Sequence, residues 1–278
     1  MADETNYVTR REFIAGMVAL GGSVAVAVAL SEIEPLKDLI EREIALELPE
    51  VALEDSHVEG GDSRFHWAML IDLRKCIGCR YCVYACQAVN DVPDDMRWNV
   101  YHPDTTETGE PFHMTRPCLH CEDAPCTSVC PAKATWRRAD GLVVMDYDLC
   151  IGCRYCQVAC PYDARSFNWE EREGPSGYQP EWGNAEVKRR PRGVAEKCTF
   201  CIHRIDRGLA HGLIPGEDRP ATPACVNICP VEARVFGDLN NPESRISKLL
   251  EELPTFRLRE DLGTEPNVFY VPPEGMAI

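Results

Sequence analysis

The sequence predicts an α+β fold that is loop-rich and internally duplicated, with short strands and helices in place of long ones. Three observations predict it. The stretch "CIGCRYCVYAC" (Cys76–Cys86) returns almost letter for letter as "CIGCRYCQVACP" from Cys150. Short apolar runs with strand character, "WAMLID" (67–72) and "LVVMD" (142–146), precede the two ladders, and each ends in an aspartate (Asp72, Asp146) four residues before the first cysteine. The 278 residues also hold 16 cysteines, 21 prolines and 19 glycines, the composition of a chain held by something other than long helices. The shared unit is a strand, a cysteine loop and a short helix, and its recurrence reads as an internal duplication.

Charge and motif content exclude several functions. With 29 Lys and Arg against 45 Asp and Glu the net charge is −16, which argues against nucleic acid, whose phosphates are bound by cations. The sequence has no dinucleotide fingerprint, phosphate loop or His-Glu-x-x-His motif. No small-molecule substrate of its own is expected, and no residue is singled out as catalytic.

The N-terminus reads as an address. "TRREFI" (9–14) leads into the uncharged run "AGMVALGGSVAVAVAL" (15–30), and Arg10–Arg11 resembles the twin-arginine export motif. Residues 1–30 are therefore a twin-arginine signal or an N-terminal anchor, the uncharged stretch 13–30 being at the lower limit for a membrane span. Export places the protein in the periplasm or on the outer face of the cytoplasmic membrane. That route carries folded proteins, so thiolates loaded with metal inside the cell are compatible with an external location.

Residues 31–62 form an acidic tether, with eleven Asp and Glu against Lys37 and Arg42. Pro35 is placed to open an amphipathic helix with Leu36, Leu39, Ile40 and Ile44 on one stripe. "EGGDS" (59–63) reads as a flexible joint. Residues 63–240 are the core, 240–253 a capped helix with Pro242 in its first turn, and 241–278 a C-terminal extension across the surface.

The cysteines fall into four groups of four: Cys76, Cys79, Cys82, Cys86; Cys118, Cys121, Cys126, Cys130; Cys150, Cys153, Cys156, Cys160; and Cys198, Cys201, Cys225, Cys229. Three thiolates within seven residues crowd a single tetrahedral zinc ion, which favours two separated pairs. Disulfides between Cys-x-x-Cys neighbours are strained and reducible, and this chain is long enough for an ordinary core. One tight loop can instead reach three irons of a compact cube, while the fourth cysteine begins a short helix aimed at a second cube, as in two-cluster ferredoxins. Proline after that cysteine turns the chain away; Gln87 replaces it in the first group. Sixteen thiolates then supply four [4Fe–4S] clusters.

Only 19 residues separate groups two and three, which form an inner pair (about 112–169). Groups one and four pair across the intervening chain (66–111 with 188–240). The expected ligand sets are Cys76, Cys79, Cys82 with Cys229 (cluster 1), Cys118, Cys121, Cys126 with Cys160 (cluster 2), Cys150, Cys153, Cys156 with Cys130 (cluster 3), and Cys198, Cys201, Cys225 with Cys86 (cluster 4). An oxidised cluster with its thiolates carries about −2, so buried charge needs nearby cations and N–H donors. Arg74, Lys75, Arg80, Arg154, Lys197 and Arg204 lie close to ligands in sequence, and "KRRPR" (188–192) is the densest basic run, read as cluster compensation ahead of docking. His120 and His203 are taken as hydrogen-bonding or loop residues.

These groups together resemble the four-cluster iron–sulfur subunits of membrane-associated molybdopterin oxidoreductases, among them the dimethyl sulfoxide, polysulfide and tetrathionate reductases and formate-dependent nitrite reductase. The carrying features are "CIGCRYCVYAC", "CLHCEDAPCTSVCP", "CIGCRYCQVACP" and "CTFC" with a long insertion before "CVNICP", covering roughly 66–240. The resemblance implies duplicated two-cluster ferredoxin-like units and a non-catalytic role, passing single electrons between a molybdopterin catalytic subunit and a polytopic quinone-binding membrane subunit. It supports the same cluster pairing. A signal on this subunit itself also resembles the sulfite-reductase-linked complex, so a non-molybdenum respiratory complex and a mobile polyferredoxin stand as alternatives.

Overall fold

A computed structural model describes residues 61–174 and 182–276. The signal and most of the tether, with its expected helix, lie outside the described residues. Strand β1 (Trp67–Asp72) is buried at every position, which follows from its place at the centre of a three-stranded sheet. Strand β8 (Arg234–Asp238) pairs antiparallel on one edge and β9 (Val268–Val271) parallel on the other. Trp67, Met69 and Ile71 point into the main core. Ala68 and Leu70 point into a smaller one with Val235, Ile246 and Val271. A strand covered on both faces reads as a continuous apolar run rather than an alternating one, which is why "WAMLID" carries no polar face.

Three further antiparallel pairs complete the framework: β2 (Val100–Thr105) with β3 (Pro111–Arg116), β4 (Thr135–Arg137) with β5 (Val143–Met145), and β6 (Arg165–Phe167) with β7 (Ala195–Lys197). Each joins the strand leaving one cysteine group to the strand leading into the next. The β8–β1 pair does the same for the last group and the first, closing the series into a ring.

Every cysteine group carries a short helix: α1 (Tyr81–Val89), α2 (Pro125–Ser128), α3 (Tyr155–Ala159) and α5 (Ala224–Asn227). The third cysteine of the group (Cys82, Cys126, Cys156 or Cys225) is always its second residue. The expectation that the fourth cysteine begins the helix is therefore corrected: Cys86 lies within α1, and Cys130, Cys160 and Cys229 follow the ends of theirs. Proline acts as expected from its missing N–H. Helices followed by Cys-Pro stop within four or five residues, whereas α1, with Gln87 in that place, runs for nine. Gln87 is buried and donates to the carbonyls of Pro93 and Met96, pinning the following loop. Helix α1 packs on α5 and α2 on α3, so the first group faces the fourth and the second faces the third.

The C-terminal helix, α6 (Arg245–Glu252), starts later than the sequence implies. Ser244 caps it, its hydroxyl accepting from the Ser247 N–H, and Pro242 precedes the helix. The segment after it is more than a surface extension. Its strand β9 is an edge of the central sheet, and Asn267 donates to the carbonyl of His120 at 2.9 Å. Of the expected joint at 59–63, residues 61–63 are described, and Asp62 there turns back to accept from the N–H groups of Arg64 and Phe65.

Helix α4 (Ile202–Ala210), which follows Cys201, is braced from outside by Glu186. This carboxylate accepts from Arg204 and Arg207 and lies 3.3 Å from His203. Burial works to raise its pKa, but His203 and Arg204 bring it down to about 2 from an ordinary 4.5. Because the folded-state value is depressed, the contribution to stability is complete above pH 4.5 and is lost as pH falls toward 2. Glu186→Gln is expected to cost about 3 kcal/mol at neutral pH, read as a lower unfolding midpoint.

Gly78 and Gly152 occupy equivalent turns in the two ladders, both at φ +70°, a conformation that costs an L-residue roughly 1–2 kcal/mol. Their surroundings differ. A Cβ on Gly152 meets the backbone oxygen of Gly193, whereas one on Gly78 meets a side chain, the His113 ring, at 2.8 Å. Gly152→Ala should therefore lower the melting temperature clearly more than Gly78→Ala; equal losses would show that the Gly193 contact yields.

Candidate iron–sulfur sites

All sixteen cysteines are free thiols, and twelve of them gather around three spaces. One cavity is lined by Cys76, Cys79, Cys82 and Cys229. A second is lined by Cys86, Cys198, Cys201 and Cys225. A third is lined by Cys118, Cys121, Cys126 and Cys160. Each takes three cysteines from one group and the fourth from another, and none has a carboxylate in its wall. Cys150, Cys153 and Cys156 sit on the loop and first turn of α3, and Cys130 follows the helix α2 on which α3 packs.

The chemistry of these spaces fits an iron–sulfur cube: four thiols, apolar walls, and N–H donors turned toward sulfur. The Ala233 N–H donates to Cys229 Sγ at 3.3 Å and the Phe200 N–H to Cys198 Sγ at 3.4 Å. Asn90 donates its side-chain amide to Cys201 Sγ at 3.5 Å. Burial, with neighbouring sulfurs, pushes the thiols of Cys121 and Cys225 up to about 12 and those of Cys86 and Cys198 well above the usual thiol range. A cluster must displace these protons when it loads.

Buried cations answer the sulfurs. Arg165, at the start of β6, donates to Cys126 Sγ at 3.1 Å and to Thr135 Oγ1 at 2.9 Å, with Met145 Sδ at 3.4 Å. Arg234, at the start of β8, donates to Cys225 Sγ at 3.4 Å and to Asn99 and Thr115, with Met69 Sδ at 3.3 Å. Lys197, wholly buried, donates to the backbone carbonyls of Val143 and Cys198. Burial opposes the charge on both arginines, yet the surrounding sulfurs hold their pKa values above the ordinary one. On Lys197 burial prevails and the pKa falls.

Of the cations singled out from sequence proximity, Lys197 is buried beside Cys198, Arg80 lines the Cys76/79/82/229 cavity, and the charge of Arg204 favours ionisation of Cys201. Arg74 pairs with Asp72, and Arg204 with Glu186. Arg80 stacks over Tyr101 and Arg154 over Trp169, each just ahead of its helix. In "KRRPR", Arg189 pairs with Asp91, while Arg190 pairs with Glu196 and donates to the carbonyls of Asn90 and Asp91. That run ties the end of α1 to β7 rather than compensating sulfur. Arg165 and Arg234 were missed, although the sequence marks them: "CPYDAR" and "CPVEAR" place each five residues after the last cysteine of its ladder. His120 is buried, its Nδ1 accepting from the Val143 N–H at 3.0 Å and its ring against Phe200 with centroids 3.9 Å apart.

Comparison with known proteins adds the family. Residues 110–174 and 149–233 each match a 4Fe-4S dicluster domain, and residues 67–88 a 4Fe-4S binding domain. The chain is 42% identical over 222 residues to the iron-sulfur subunit of a putative dimethyl sulfoxide reductase of Halobacterium salinarum, covering 74% of this chain and 79% of that one. It is 36% identical to a selenate reductase subunit of Mesobacillus selenatarsenatis, covering 96% of this chain and 98% of the relative. With a tetrathionate reductase subunit of Salmonella typhimurium it shares 38% identity over 76% of this chain and 74% of the other. With thiol-lined cavities, dicluster-domain matches and near full-length likeness together, the chain belongs to the family of iron–sulfur electron-transfer subunits of molybdopterin oxidoreductases.

Proposed function

We propose that this chain is a duplicated two-cluster protein holding four [4Fe–4S] clusters, and that it passes single electrons between a molybdopterin catalytic subunit and a quinone-interacting membrane subunit. The clusters supply reversible one-electron storage, at potentials that for this class span about −700 to +450 mV. The chain's own residues hold them in line, exclude water and set their potentials.

The observation that carries this reading is the order of the cysteine sets. Arg234 lines the Cys76/79/82/229 cavity and bonds Cys225 of the next. Lys197 spans from Cys198 to Val143, which lines the Cys118/121/126/160 cavity. Arg165 lines that cavity and faces Cys156 of the last set. The two middle sets are buried except Cys160, which is half-buried, while Cys153 is exposed at one end and Cys76, Cys79, Cys82 and Cys229 are half-buried at the other. A row with a dry middle and accessible ends suits a conductor joining two partners.

Apolar surface at both ends supports partner contact. Ile151 (69% exposed), Tyr155, Val158 (86%) and Trp169 surround the third ladder, and Ile77 the first. Among the described residues no helix is long and apolar enough to cross a membrane, so attachment falls to a membrane partner or to the N-terminal segment. We place the protein, through its twin-arginine motif, on the outer face of the cytoplasmic membrane.

Purified in its complex, the chain should contain about 16 iron and 16 sulfide; a markedly lower content overturns the four-cluster reading. Mass spectrometry of the gently solubilised complex should find a large pterin-binding subunit and a polytopic membrane protein. A multihaem cytochrome in their place would move the chain to a different respiratory module. Cys126→Ser should disturb the EPR signal of one cluster and leave those of the outer pair; loss of all four would count against separate pairs.

A further inference from the structure

We propose that Arg234, Lys197 and Arg165 are gap charges: one buried cation in each interval between successive clusters, raising the reduction potentials of the two clusters it separates. The inference rests on the four-cluster reading above and adds to it the residues that set the energy profile along the row.

Placement makes the case. Arg234 belongs to the wall of the first cavity and bonds a cysteine of the second. Lys197 donates to the carbonyl of a cysteine of the second and to a residue lining the third. Arg165 bonds Cys126 of the third and reaches Cys156 of the fourth set. None of the three forms an ion pair with a carboxylate among the described residues, unlike the buried Arg138, held by Asp140 and Asp206, and Arg190, held by Glu196. Arg165 and Lys197 are moreover cross-strand partners on β6 and β7, where like charges normally destabilise. Only negative charge on either side of that strand pair balances them.

The sign is fixed by electrostatics. Reduction adds a negative charge to a cluster, and a cation a few ångströms away in a low-dielectric interior favours the reduced form. A cation in the gap acts on both neighbours and offsets the repulsion between electrons on adjacent clusters. Among the described residues no carboxylate is paired with it to cancel that effect.

The test is an EPR-monitored redox titration of the full chain in its complex, with each signal assigned by a Cys→Ser exchange in its own set. The wild type must first show four signals; fewer would sink the four-cluster reading itself, whatever the variants do. Lys197→Met should then lower the reduced-to-oxidised ratio at fixed ambient potential roughly tenfold for the Cys86/198/201/225 and Cys118/121/126/160 clusters alone, equivalent to about 59 mV for one electron. Arg234→Met should move the first two clusters of the row and Arg165→Met the last two. Lys197→Arg, Arg165→Lys and Arg234→Lys, which keep the charge, should restore most of each shift. A uniform shift of all four signals, or none, overturns the proposal. Loss of a cluster both in the Met variant and in a further variant with Gln at the same position assigns that residue a folding role and overturns the proposal for that gap.

Discussion

Sulfur brought close to sulfur inside a protein is the constraint on which the rest depends. A thiol buried among thiols resists ionisation, as the raised values at Cys121 and Cys225 record, yet metal is bound by thiolate. The fold meets this with two devices, and neither is a long element of secondary structure. Tight loops bring N–H groups to the sulfurs, and cations are buried beside them. An acidic chain of net charge −16 keeps its carboxylates out of the walls of three thiol-lined cavities, so the overall charge says little about the local field.

Much of this was legible in the sequence, because spacing is a direct record of loop geometry. Strand β1 falls where "WAMLID" placed it, and the contrast between Gln87 and the Cys-Pro ladders decides helix length as proline chemistry requires. The helix registers were harder to read. Nothing in spacing 3-3-4 reveals that the third cysteine, and not the fourth, sits in the first turn. Ser244 and Pro242 both suit a helix start, and only the packing of Ile246 under the sheet selects the later one.

Sequence proximity misjudged several of the cations for a physical reason. A residue one or two places from a cysteine on a tight loop points outward as readily as inward: Arg154 lies over Trp169, whereas Arg80, over Tyr101, stays in the wall of the first cavity. A residue five places on has passed the proline turn and entered a strand that runs back beneath the cavity. Arg165 and Arg234 occupy that place. The repeated Ala-Arg after Cys-Pro was visible in the sequence, and its significance came from the strand that follows.

The ring of strand pairs sets a timetable for synthesis. Cys118, Cys121, Cys126 and Cys160, with both strands of the hairpin β4–β5, are all made before Cys198 and Cys229. Cys76, Cys79 and Cys82 emerge first, yet they wait for Cys229, and β1 waits for β8 and β9. The first cysteines to be made are thus the last to be enclosed. Until then these thiols lack their fourth partner and the apolar strand before them lacks both neighbours.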